Sequence, residues 1–141
     1  MMREPGSVLF VCTMNAVRSP MAAALLRASL HGTRVDSAGV QAGALDPLAV
    51  EVMREIGIAL SSHQPRCLAE VKGGAYDLVV ALSQEAQIQV TDLAPGAVLE
   101  YWPVGDPTGV EGSREQRLAA YRAVRDELLK KLKSRFQLPP A

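Results

Sequence analysis

Short apolar runs alternate with longer amphipathic stretches along this chain. Ser7-Val-Leu-Phe-Val-Cys12 and Tyr76-Asp-Leu-Val-Val-Ala-Leu82 are almost continuously apolar, the pattern of strands covered on both faces. Val35–Ala38, ending at Gly39, and Ala97–Trp102 read as two further strands. The stretches between them have helical spacing. Ser19-Pro20 opens a helix to about His31, with Met21, Leu25, Leu26 and Leu30 on one side and the proline suited to the first helical position. Asp46-Pro47 repeats that start signal; Leu48, Val52, Met53 and Ile56 form the stripe and Gly57 closes it. Ser83–Asp92 reads as a helix. Ser113-x-x-Gln116 is a capping box, and Leu118, Tyr121, Val124, Leu128 and Leu132 mark a long C-terminal amphipathic helix. Met1–Ser7 reads as a polar lead-in and Leu138–Ala141 as a frayed, proline-bearing tail.

Strands that alternate with helices in this way imply an α/β fold, a parallel sheet with helices on both faces. Ligands of such sheets bind at the carboxyl ends of the strands, and the first strand ends at Cys12. No repeat or linker divides the 141 residues, so one domain over residues 1–141 is expected. The 48% hydrophobic and 21% charged fractions are those of a globular chain. Fifteen basic and fifteen acidic residues cancel, which argues against nucleic-acid or anionic-membrane partners. No run approaches the roughly 18 apolar residues of a membrane span, and no signal peptide is legible. With only Cys12 and Cys67, a disulfide framework is excluded. These features together place the chain in the cytoplasm with reduced thiols.

The chemistry lies in Cys12-Thr13-Met14-Asn15-Ala16-Val17-Arg18-Ser19-Pro20. A cysteine ends a buried strand, and an arginine follows six positions later at a helix start. A loop of this length can turn its backbone N–H groups inward as an anion nest at the positive end of a helix. The Arg18 guanidinium would bind two oxyanion oxygens at once. The same surroundings favour the thiolate, which is the nucleophilic form of cysteine.

With those residues quoted, Val8–Pro20 resembles the phosphate-binding loop of the low-molecular-weight protein tyrosine phosphatases, whose fold is shared with thioredoxin-coupled arsenate reductases. Arg34–Gly39, Leu60–Arg66, Tyr76–Val79, and Asp106-Pro107 followed by Tyr121 extend the resemblance over nearly the whole chain. It implies a three-layer α/β/α fold with four parallel strands in the order 2-1-3-4. It implies Cys12 as nucleophile, Arg18 as transition-state clamp and Asp106 as general acid and base. Phosphate would be held by the loop from Thr13 through Met14, Asn15, Ala16 and Val17 to Arg18. Ser19 would support the thiolate, and Ser37 and His63 would brace Asn15, whose residue type tolerates the left-handed backbone such a loop demands.

The expected activity is a metal-independent phosphomonoesterase working through a phosphocysteine, with no cofactor. Its partners are a phosphorylated protein or small phosphomonoester, and inorganic phosphate or a similar oxyanion in the loop. Two alternatives stay open: arsenate reduction with an external thiol, and an oxyanion-binding module with little turnover. Val17 stands where the family often has a second cysteine, and Met14 where it often has glycine. The family's aromatic pocket walls are replaced by Gln41–Ala44 and Thr108-Gly109. Cys67 follows Arg66 in an expected loop, with no sequence signal placing it near Cys12.

Overall fold

A computed structural model describes residues 5–71, 75–91 and 96–138. The expected ends of the lead-in (1–4), of the helix at Asp92 and of the tail (139–141) lie outside the described residues. Four strands, β1 (Ser7–Cys12), β2 (Arg34–Gly39), β3 (Leu78–Ala81) and β4 (Val98–Tyr101), form one parallel sheet in the order β2-β1-β3-β4. Among the described residues, five α-helices accompany them: α1 (Arg18–Ser29), α2 (Pro47–Arg54), α3 (Leu68–Val71), α4 (Gln84–Val90) and α5 (Arg114–Phe136). The chain is therefore a three-layer α/β/α fold.

The period of two in β1 divides the core. Val8, Phe10 and Cys12 face one layer, where they join Met21, Leu25 and Leu26 of α1, Val52 and Met53 of α2, and Leu118, Tyr121 and Leu128 of α5. Leu9 and Val11 face the other, with Val71 of α3 and Ala86 and Val90 of α4. All six residues of β1 are buried, which is why it lacks polar alternation.

Helix α1 begins at Arg18, two residues before Pro20, so Pro20 is its third residue and not its first. The first-turn N–H groups have no intrahelical partner, so proline is tolerated there too. The helix stops at Ser29, short of His31. Asp46 caps α2 by accepting from the Leu48 N–H, and its other oxygen accepts from the Tyr121 hydroxyl at 2.5 Å, tying α2 to α5. Ser83 caps α4, and the Ser113–Gln116 capping box starts α5. Helix α3 and a single 3-10 turn at Pro107–Gly109 were not expected; neither is long enough to show a period.

Candidate active site

The loop between β1 and α1 sits at the carboxyl end of the central strand. Its carbonyls are all held from outside. The Cys12, Thr13, Met14 and Ala16 oxygens accept from the backbone N–H groups of Val40, Gln41, Gly43 and Asp46, and the Val17 oxygen accepts from Met21. The Asn15 oxygen faces the His63 Nε2 at 3.2 Å. Peptide planarity sets the N–H of each residue opposite the C=O of the residue before it. Among the described residues, no backbone N–H from Met14 to Val17 donates to a protein acceptor. The carbonyls point out to their partners and the amides are left for a ligand, the arrangement that makes an anion nest.

Asn15 locks this loop. Its φ is +51°, in the left-handed region, and it is fully buried. Nδ2 donates to the Ser19 hydroxyl at 2.8 Å and the Ser37 hydroxyl at 3.0 Å. Oδ1 accepts from the Arg66 backbone N–H at 2.9 Å and lies 3.1 Å from the His63 Nε2. Both acceptors at Nε2 are oxygens, so that nitrogen carries the proton. Burial first, then the charges of Arg27 and Arg66, depress the His63 pKa against the opposing pull of the Asn15 carbonyl. Gly39 matters for a related reason: a Cβ there would lie 2.6 Å from the Asn15 nitrogen, so only glycine lets β2 approach the loop.

Cys12 is buried, with Sγ 2.9 Å from the Ser19 hydroxyl and 3.4 Å from the Ser19 N–H. The same hydroxyl can donate to the Ala38 carbonyl at 3.2 Å. When Cys12 is a thiolate, the Ser19 proton turns to sulfur; when it is a thiol, that proton is free to turn to Ala38. Arg18 is held by the Val104 carbonyl at 3.0 Å through Nη1, while Nη2 faces the Thr13 hydroxyl at 3.5 Å and Asp106 Oδ2 at 3.9 Å. Asp106 Oδ1 accepts from both the Thr108 N–H (2.9 Å) and hydroxyl (2.7 Å), which leaves Oδ2 as the working oxygen. Burial raises the Asp106 pKa, but the two Thr108 bonds and Arg18 outweigh it and hold the carboxyl below its ordinary value.

Cys12, Met14, Ala16, Val17, Arg18, Asp106 and Thr108 line one cavity of about 80 Å³. Of the site residues expected from the sequence, Cys12 to Ser19 form the loop and the start of α1, Ser37 and His63 brace Asn15, and Asp106 faces Arg18 across the cavity. The structure adds to the sequence reading at two positions. Met14, 40% exposed, packs toward Gly43, where a Cβ would meet its Cε at 3.1 Å, so a thioether stands at the rim that lacks an aromatic. Cys67 also corrects the sequence reading. It forms a parallel bridge with Gly39, which pairs with Cys12 on its other side. No side-chain pattern announces a one-residue bridge, so the sequence carried no signal for it.

A buried thiol beside an amide nest, with a guanidinium and a facing carboxyl, is the donor set of a cysteine-based oxyanion enzyme. A family model for the low molecular weight phosphotyrosine protein phosphatases matches residues 7–137, and the chain belongs to that family of hydrolases. It is 34% identical over 131 residues to the arsenate reductase of Bacillus subtilis, covering 92% of this chain and 94% of that one. Among solved structures it resembles the YwlE arginine phosphatase from Geobacillus stearothermophilus, with TM-score 0.75, 32% identity and 94% of each chain covered. It also resembles the tyrosine phosphatase Wzb from Escherichia coli K30 in complex with sulphate, with TM-score 0.74, 25% identity, and 94% of this chain and 99% of that one covered.

Proposed function

We propose that the chain is a cytoplasmic, metal-independent phosphomonoesterase with a phosphocysteine intermediate. The observation that carries this reading is the outward anchoring of all six carbonyls from Cys12 to Val17 around a buried thiol. The Cys12 thiolate attacks phosphorus as the bond to the leaving oxygen breaks, and Asp106 gives that oxygen its proton. Loop amides and Arg18 hold the equatorial oxygens as charge moves onto them. Asp106, now ionised, takes a proton from water, which attacks phosphorus and returns the thiolate. In the free site Asp106 is held ionised, as the second step needs. A bound dianion competes for Arg18 and adds negative charge nearby, and both raise the Asp106 pKa for the first step.

Substrate preference follows from the rim. A thioether at Met14 and open backbone at Thr108-Gly109 offer no ring to stack on a phenol. We infer acceptance of several phosphomonoesters with little intrinsic preference for phosphotyrosine. The test is hydrolysis of aryl and alkyl phosphates in the presence of a chelator. The reading requires vanadate-sensitive turnover that Cys12→Ser abolishes while leaving phosphate binding partly intact. Binding without turnover would leave only an oxyanion-binding module.

One observation favours a second activity, arsenate reduction: the 34% identity to an arsenate reductase. Cys12 would attack arsenic with loss of water. An external thiol would then attack the Cys12 sulfur, leaving the electron pair of the As–S bond on arsenic, released as arsenite, and forming a mixed disulfide. The thiol would be external: arsenate reductases of this fold keep their resolving cysteines in or after the third strand, where this chain has Ser83, bonded to Thr13. Arsenate-dependent thiol consumption tests this.

A further inference from the structure

We propose that a groove behind the phosphate loop, between α1 and the 63–70 segment, is a second oxyanion site that takes a phosphate-class dianion. The groove has a volume of about 320 Å³, and Arg27, Ser37, His63, Arg66 and Glu70 are among the residues that line it. It shares no lining residue with the cavity over Cys12.

Two guanidinium groups line it beside the His63 ring. Arg27 spends Nε and Nη2 on the Val35 carbonyl, and Arg66 spends Nε on the Ser37 carbonyl and Nη2 on Asp36. Among the described residues, Nη1 of each has no acceptor. His63 commits its Nε2 proton to Asn15, which leaves Nδ1 as an acceptor, suited to the hydroxyl of a hydrogen phosphate. Glu70 is the carboxylate in the lining, with one oxygen taken by the Cys67 N–H at 2.7 Å. Two guanidinium groups, each with Nη1 to offer, suit the spread oxygens of a tetrahedral dianion better than a halide. The positive field of Arg27 and Arg66 is strong enough at His63 to help depress its pKa. A bound dianion would relieve that repulsion. The groove is also larger than a lone phosphate needs, so an esterified phosphate fits as well.

The test is a sulfate titration of the wild-type protein followed by NMR, with loop amides and the His63, Arg27 and Arg66 side chains monitored separately. Sulfate keeps its charge across neutral pH. Two saturating isotherms are expected. Arg27→Gln should weaken the side-chain isotherm about tenfold, the loss of one charge-assisted bond, and leave the loop isotherm in place. Arg27 lies outside the catalytic machinery and is exposed, so the fold should persist. Repeating the titration with inorganic phosphate and with phosphoserine identifies the source: tighter saturation by phosphoserine assigns the site to an ester, equal saturation to the free ion. A single shared isotherm, side-chain signals that never saturate, or an Arg27→Gln protein with both isotherms unchanged would overturn the second site. None of those results touches the role of Cys12.

Discussion

Replacing Asp106 by asparagine should separate proton transfer from everything else the site does. Oδ1 is fixed by two donors from Thr108, and an amide oxygen can keep both bonds. The amide nitrogen then replaces Oδ2, the oxygen that faces Arg18 at 3.9 Å. That pair is half-exposed on the aspartate side, so its loss costs under about 1 kcal/mol of stability. The rate is another matter. A positioned general acid is worth roughly 10²–10⁴ in rate. Tyrosine, with a pKa of about 10, needs the proton on leaving and should show that full loss. An activated nitrophenolate departs almost unaided, and its loss should stay under about tenfold. The assay is kcat/KM for a series of aryl phosphates, plotted against leaving-group acidity, for both proteins. The slope should steepen in the variant. The pH profile gives a second reading. With poor leaving groups the wild-type rate should fall as pH rises, because fewer molecules hold the Asp106 proton; Asp106→Asn should lack that limb. A loss of equal size across the series, with the limb retained, would show that another carboxylate does the work.

Asn15→Ala should cost roughly 3–5 kcal/mol in urea unfolding: it strands the Arg66 N–H and two buried hydroxyls and puts alanine at a left-handed φ. A loss under 1 kcal/mol would mean that the loop is held by its carbonyl ties alone. Gly109→Phe should raise the preference for phosphotyrosine peptides over small alkyl phosphates by about two- to tenfold, the worth of one aromatic contact. A Cβ there meets nothing within 4 Å, whereas at Gly43 it would press on Met14; an unchanged ratio would refute the wall argument. Peroxide should drive Cys12 past sulfenic acid, with only partial recovery in dithiothreitol. Cys12 and Cys67 flank Gly39, so their Cα atoms are two strand spacings, about 9–10 Å, apart. That exceeds the roughly 7 Å a disulfide spans. Mass spectrometry showing a Cys12–Cys67 disulfide and full rescue would refute this.

Much of this site was legible because its chemistry sits in side chains spaced along one segment. Cys12, Arg18 and Ser19 are close in sequence; strand β1 announces itself by its continuous apolar run and helix α1 by its helical spacing. Ser37 and His63 could be assigned only through the resemblance, since the contacts that join them to Asn15 span 22 and 48 positions. The ties that shape the loop were not legible at all. They run from backbone N–H groups at Val40, Gln41, Gly43 and Asp46, and any residue except proline could supply them. Helix α3 escaped because four residues carry no period. The start of α1 shifted by two because proline is compatible with more than one first-turn position. Met14 was seen as a departure, but its packing toward Gly43 depends on a loop path that only the fold defines.

The covalent intermediate is the center of the account, and rapid acid quench tests it most directly. Wild-type enzyme mixed with a nitrophenyl phosphate and stopped within one turnover should carry a single phosphoryl group. Peptide mass spectrometry should place it on Cys12, and Asp106→Asn should accumulate more of it, since hydrolysis then lacks its base. A quenched enzyme that turns substrate over yet carries no phosphoryl group on Cys12, or carries it elsewhere, would contradict the mechanism.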